Sequence, residues 1–326
     1  MAPNPNFDEV ATSTLRLRMK EASDNIGTST FMLAKLEKTA KTLTGHSAII
    51  ENIKYSRNRS GQWYAGYETL PLDQQKLFTS IQNPWSQYVM NISFSGAELK
   101  QNRGEAAILN LMSERITDVE QAHREDWNHF LIHADGSDPR SMHGLPLLLG
   151  SGAYGGIDPA VAGSEFWVPY TVDPRQDWID AGGAPAGFRS PPLTWKKFME
   201  MAISIDNGRT RPDTIMLAKD LYLGLLGTLE QQFTFQNPKL VDLGIEHVTY
   251  MGMDIGFDFE IPDGTWYAVN TDHLTWWRQS DCFMTSTGFK EPVDQDSKIA
   301  HILSMTQLTT NKRMAHGVGY AFKPAS

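Results

Sequence analysis

Cysteine is almost missing from this 326-residue chain: Cys282 stands alone, so neither an intrachain disulfide nor a cysteine-based zinc cluster can form. Folding in a reducing cytoplasm fits that usage. Long apolar runs are missing as well. No stretch approaches the ~18 residues of a membrane span, and the opening MAPNPNFDEV has neither the basic start nor the apolar core of a secretory leader. A soluble chain, free of membrane and not exported through a cleaved leader, is expected. Lysine and arginine never gather into a block and the net charge is -9, which disfavours tight, neutralising contact with nucleic acid. The content of apolar side chains, 40 %, still suffices for a core in two domains or one large elaborated one.

Catalytic signatures are equally scarce. There is no G-x-S-x-G elbow, no phosphate-binding G-x-x-x-x-G-K-[ST] and no strand-linked G-x-G-x-x-G. The densest glycine group, Gly150, Gly152, Gly155 and Gly156, lacks a following Lys or Thr, so loop flexibility is its expected role. Cys282 lies in β-prone, apolar text and reads as a buried core thiol. Glu125, His129 and His133 fall at i, i+4 and i+8 on one helix face, a spacing at which imidazoles can share a metal, but no Glu adjoins the first His; a solvated polar face is the preferred reading. The aromatic pairs Trp63-Tyr64, Phe166-Trp167 and Trp276-Trp277 have no interleaved basic residues, so packing accounts for them better than stacking on bases. No catalytic residue, cofactor-binding residue or metal ligand is assigned, and the chain is not read as an enzyme.

What is present is architecture. An extended polar arm leads to a helix starting near Ser29 or Thr30, either of which can cap it. From Ala48, AIIENIKYSRNRSGQWYAGYETLPL reads as a hairpin of two β-prone runs around the polar segment 56–61. Its second arm carries Trp63, Tyr64 and Tyr67, more aromatic area than a two-stranded ribbon can hide, so another surface must cover it, in this chain or a neighbour. A strand over 85–95 should turn Tyr88, Met90, Ile92 and Phe94 to one side. A long helix near 98–135 follows, with Ile108, Met112, Ile116, Val119, His123, Trp127 and Phe130 as its apolar stripe and Asp135-Gly136 as its stop. Residues 136–192 are rich in Gly and Pro and read mostly as loop. Thr194 would cap a second helix with Trp195, Phe198, Met199, Ala202 and Ile203 on one side, and Thr214–Ala218 reads as a buried strand running into another helix. Beyond Ile245 the text is β again, with a Pro262-Asp263-Gly264 turn, and HLTWWRQ, ILSMTQLTT and GVGYAF close the chain.

Eight short passages, in order along nearly the whole chain, resemble the major coat proteins of tailed bacteriophages: DNI from Asp24, WYAGYETL from Trp63, the run from Trp85 through SGAELKQNRGEAAILNLM, ADGSDPRSMHGLPLLL, YGGID from Tyr154, YMGMDIGFDF, WYAVNTDHL and QLTTNKRMAHGV. The resemblance implies an α+β chain of the Hong Kong 97-type capsid fold. Its parts would be an N-terminal arm over 1–35, an extended hairpin called the E-loop over 49–75, a peripheral domain with spine helix and β-sheet over 36–48 and 76–135, a mixed α/β axial domain over 136–290, and return strands of the peripheral domain over 291–326. The implied function is a major capsid protein that self-assembles, as hexamers and pentamers, into the icosahedral head of a tailed phage around double-stranded DNA. The shell of an encapsulin-like bacterial nanocompartment is the alternative. Scaffolding, portal and decoration proteins would be partners, the DNA would be packaged without sequence specificity, and assembly would take place in the host bacterial cytoplasm. Lys54, Tyr55, Trp63, Tyr64 and Tyr67 become candidates for contact between subunits. Lys54 is also a formal candidate for the Lys-Asn isopeptide bond that certain members form, although no Asn or Glu partner matches in this sequence.

Overall fold

A computed structural model describes residues 31–56, 58, 60–69, 76–97, 105–172, 195–205, 210–227 and 248–320. The expected arm before residue 31, the caps Ser29, Thr30 and Thr194, and the last six residues lie outside them, as do the side chains of Ile108 and Met112.

Two sheets organise the chain. The first has five strands in the order β1 (Lys41–Leu43), β10 (Leu274–Gln279), β12 (Ser297–Thr310), β11 (Thr285–Ser286), with β4 (Ser86–Ser95) also paired to β12. The 14-residue β12 is its backbone, because one end pairs antiparallel with β4 from Ser297↔Ser95 to Thr306↔Ser86 while the other pairs with β10 from Arg278↔Thr306 to Leu274↔Thr310. The second sheet has six strands, ordered β5 (Tyr170–Val172), β13 (Gly317–Tyr320), β9 (Thr265–Val269), β6 (Thr214–Ala218), β8 (Met253–Asp258), β7 (Val248–Tyr250). Its pairs β5–β13 and β6–β8 are parallel and the rest antiparallel.

Alternation along the central strands explains why β6 reads as an unbroken apolar run. Ile215 and Leu217 face one core cluster, shared with Trp266 and Ala268 of β9, whereas Met216 and Ala218 face the other, shared with Tyr267 and Val269. The first cluster is roofed by the helix Trp195–Ile205 through Phe198, Met201, Ala202 and Ile205, with the Phe198 ring edge-on to Trp266 at 4.9 Å. That stripe corrects the expected one: Met199 and Ile203 are exposed on the opposite side. The sequence offers apolar residues at both faces of this helix, and only the position of the sheet decides which face is covered.

The larger cluster is crossed by two helices. Helix α1 (Phe31–Thr39) buries Phe31, Met32, Leu33 and Leu36 and touches both sheets. Phe31 lies flat on Gly256 of β8, where a Cβ would come within 2.6 Å of its ring; at the other sheet Glu37 accepts both guanidinium arms of Arg278, the Nη1 contact measuring 2.7 Å. Helix α2 (Glu105–His133) is the beam expected from sequence, 29 residues and thus about 43 Å long at ~1.5 Å per residue. Ile116, Val119, His123 and Trp127 are buried along it, and the Trp127 ring meets Trp276 of β10 edge-on at 5.0 Å. It ends as expected, with Gly136 at φ +85°.

The hairpin is where sequence and structure differ most. Strand β2 (Ala48–Lys54) pairs antiparallel not with the WYAGYETL run but with β3 (Phe78–Pro84), from Ala48↔Pro84 to Lys54↔Phe78. Residues 60–69 form no strand. Aromatic content made them look β-prone, but strand propensity is realised only where the side chains have a surface to pack on, and among the described residues these have none. Cys282 is half-buried between β10 and β11, not a core thiol, and partial burial pushes its pKa up, away from nucleophilic character.

Candidate assembly surface

The two-stranded ribbon is anchored at its base. Period-two alternation puts Ile49, Ile53 and Ile81 inward, all buried, while Ile50 and Phe78 point outward with 67 % and 66 % of their area exposed. Ile81 presses onto Gly155, whose φ of +62° and lack of side chain are both required, since a Cβ there would stand 2.8 Å from the Ile81 Cβ. Trp85 Nε1 donates to the His46 carbonyl at 2.8 Å and Gln307 Nε2 to that of Pro84 at 2.9 Å, closing the base against the chain and β12. Glu51 is the inward carboxylate; burial raises its pKa, opposed by hydrogen bonds from Thr309 and Trp277 and by the Lys41 charge.

Past Lys54 the anchoring fades residue by residue. Lys54 itself is exposed. Tyr55 is half-buried, its ring stacked on Phe166 of the same chain at 5.4 Å and its N–H donating to the Leu77 carbonyl at 3.1 Å. Every residue from 61 to 69 is exposed, Trp63 at 102 % and Tyr67 at 108 %, with Tyr64 at 62 %. The tip has local order of its own, a turn in which Glu68 N–H donates to the Ala65 carbonyl at 3.0 Å. Of the five residues expected from sequence, then, four stand free on the ribbon and Tyr55 is claimed by its own chain. Sequence reasoning missed Ile50 and Phe78, and the signal for them was present: alternation in AIIENIK and FTSIQNP places one apolar residue per strand on the outer face.

Three large rings present roughly 500 Å² of apolar surface, taking ~150–250 Å² for each aromatic side chain. Covering it would contribute on the order of 10 kcal/mol at ~25 cal/mol per Å², before the cost of ordering the tip. Exposed apolar area of that order is at the scale of the largest patch an ordinary monomer carries.

The polar helix face is built differently from the expected one. Glu125 is occupied by Gln121 Nε2 at 3.0 Å, within the helix. His129 Nδ1 and His133 Nε2 both meet Glu260 Oε2, at 3.0 and 3.1 Å, and these hydrogen bonds with the two rings hold the Glu260 carboxyl below its usual pKa. Glu260 follows β8, 127 positions after His133, so no spacing rule could have found it. The glycine-rich segment is also not the free loop expected. Arg313, fully buried, donates to the carbonyls of Leu148 (2.8 Å), Gly152 (2.7 Å) and Trp167 (3.1 Å), and also to that of Gly150. Desolvation pushes its pKa down to about 10, which leaves it charged at neutral pH. None of the described helices is long and apolar enough to cross a membrane.

No family model matches the chain, and no curated protein matches it in sequence. Solved structures do. The capsid asymmetric unit of cyanophage A-1(L) is 17 % identical and superimposes with a TM-score of 0.61 over 89 % of this chain and 92 % of that one. The capsid of the native GTA particle gives 0.59 at 11 % identity, covering 88 % and 89 %, and the capsid of Myoviridae phage XM1 gives 0.53 at 10 %, covering 89 % and 90 %. The class is therefore set by architecture: this is a mixed α/β chain with the Hong Kong 97-like fold of phage capsid proteins.

Proposed function

We propose that this chain is a major capsid protein of a tailed phage, a structural and not a catalytic molecule, assembling with identical copies into an icosahedral head around double-stranded DNA. The observation that carries the reading is the ribbon: its base is locked into the chain by Ile49, Ile53 and Ile81, while Trp63 and Tyr67 at its tip are as exposed as in an unfolded chain. Burial begun by one molecule and left unfinished is completed by another, and many modest interfaces of this kind sum to a stable closed shell. The likeness to capsid structures over nearly nine tenths of the chain supports it.

On this reading the E-loop expected over 49–75 continues through β3, Glu105–His133 is the spine helix, the six-stranded sheet with the helices Trp195–Ile205 and Lys219–Gly227 the axial domain, and β4 with β12 the peripheral sheet. Residues 1–35 would be the arm, the last five of them opening helix α1. Hexamers and pentamers, scaffolding, portal and decoration proteins would be its partners, and the virion capsid its location after assembly in the bacterial cytoplasm. An acidic chain suits a wall along which packed DNA must slide. Full-length protein purified from bacteria should form closed particles or capsomers in negative-stain micrographs. A compact, monodisperse monomer under every condition tried would overturn the proposal, and a co-purified enzyme inside native particles, in place of DNA, would favour the nanocompartment shell.

A further inference from the structure

We propose that His129, His133 and Glu260 form a binding site for a divalent transition-metal ion of the zinc class, at the seam between the long helix and the six-stranded sheet. The two histidines are one helical turn apart and so project to the same side, their ring centroids 4.5 Å apart. Glu260 arrives from the turn after β8, and the three donor atoms lie within 4.8 Å of one another, with Nδ1 of His129 and Nε2 of His133 at 3.0 and 3.1 Å from Oε2. A tetrahedral ion with bonds of ~2.0–2.2 Å holds its ligands roughly 3.4 Å apart, so the two Glu260 contacts need to lengthen only by tenths of an ångström, and the two imidazole nitrogens, within 4.8 Å of each other, need side-chain rotation alone to close on the ion.

The arrangement is braced from beneath. Asn128, the residue before His129, is buried and donates through Nδ2 to both oxygens of buried Asp258 at 3.1 Å; Asp258 Oδ1 in turn accepts the Glu260 N–H at 2.9 Å. The backbone that carries Glu260 is thereby clamped to the helix that carries the histidines, which is the support a metal site needs around its ligands. Two neutral imidazoles and one carboxylate select zinc, nickel or cobalt over magnesium or calcium, which favour all-oxygen shells. Three protein ligands leave further positions to water. Because the ligands come from two elements far apart in sequence, the ion would tie helix to sheet and stabilise the folded chain, which alone presents all three.

The test uses the full-length chain without an affinity tag, stripped of metal by a chelator. Calorimetric titration with Zn²⁺ should give one ion per chain with a dissociation constant of micromolar order, Co²⁺ should develop visible ligand-field absorption, and Mg²⁺ and Ca²⁺ should give neither. His133→Ala and Glu260→Gln should each weaken binding at least about tenfold and abolish the Zn²⁺-induced rise in Tm, whereas Glu125→Gln should change nothing. All three ligands are exposed, so the variants are expected to keep the Tm of the metal-free chain. Zn²⁺ affinity weaker than about 0.1 mM, or affinity unaltered in both ligand variants, would overturn the site without touching the shell proposal, which is read by microscopy.

Discussion

Residues 60–69 at the ribbon tip and residues 149–164 after the short helix Leu145–Leu148 are alike on paper, both carrying glycine and tyrosine and both without helix or strand. In space they are opposites. The second segment is gathered by Arg313, which takes carbonyls from Gly150 and Gly152 together with that of Leu148, and Tyr154 and Gly155 sit under the ribbon base. The first touches almost nothing. Irregular backbone can thus be as fixed as a helix when a buried donor collects its carbonyls, and what separates a structural loop from a contact loop is where its polar and apolar groups find partners.

The sharpest way to break the contrast is to remove the tip. A chain lacking residues 56–66 should fold with the Tm of the parent, because the side chains of 61–66 are exposed and take no part in the core, yet it should build no closed particles. Normal shells in micrographs of that variant would mean the Trp63 and Tyr64 rings are not contact groups. The reverse change is Arg313→Met. Several buried carbonyls then lose their donor at about 1–3 kcal/mol apiece when unsatisfied, so stability should fall by about 3 kcal/mol or more in urea titration. Arg313→Lys should recover only part, since an ammonium cannot reach as many acceptors as the planar fork.

How much of this was legible in the sequence follows from the range of the interactions. Local ones were readable: the stripe Ile116, Val119, His123, Trp127, the stop at Gly136 and the turn at Gly264 depend on neighbours three or four positions away. Partners were not. The true mate of β2 begins 24 residues after it ends, and the WYAGYETL run between them offered more apolar character than FTSIQNP. Arg313 sits in NKRMAHG, which reads as solvent-facing, and its burial becomes intelligible only when the carbonyls some 150 residues earlier are in place. The same holds for Glu260, which completes a cluster half visible as His129 and His133.

A smaller effect should come from acid. His316 is fully buried; its Nδ1 accepts the Asn270 N–H at 3.2 Å, so Nε2 carries the proton and donates to Thr310 Oγ1 at 2.9 Å, which donates on to the His273 carbonyl at 3.0 Å. A second proton would set N–H against N–H. Burial first, then His273 and Arg313, push its pKa down to about 3. The unfolded chain takes that proton near pH 6.5, so the stability from neutral His316 is full above about 6.5 and is lost as pH falls toward 3, about 2 kcal/mol of it by pH 5. His143, lowered to about 4 by burial, adds in the same direction. Urea midpoints at pH 7.5 and pH 5 should therefore differ, and the difference should shrink in His316→Asn; an unchanged difference would place the acid sensitivity elsewhere.

The finest test lies where the two kinds of loop meet, at Tyr55 and Tyr67. Both are ribbon tyrosines, but Tyr55 stacks on Phe166, which adjoins the segment ordered by Arg313, while Tyr67 stands wholly exposed. Tyr55→Ala should cost about 1 kcal/mol of stability, the scale of one partly buried aromatic pair, and Tyr67→Ser close to nothing. In assembly the order should reverse, with Tyr67→Ser raising the protein concentration needed for particles and Tyr55→Ala acting only through the looser ribbon base. If Tyr67→Ser lowered Tm as much as Tyr55→Ala, the tip would have partners within its own chain, and the division between finished and unfinished burial would fall at a different residue.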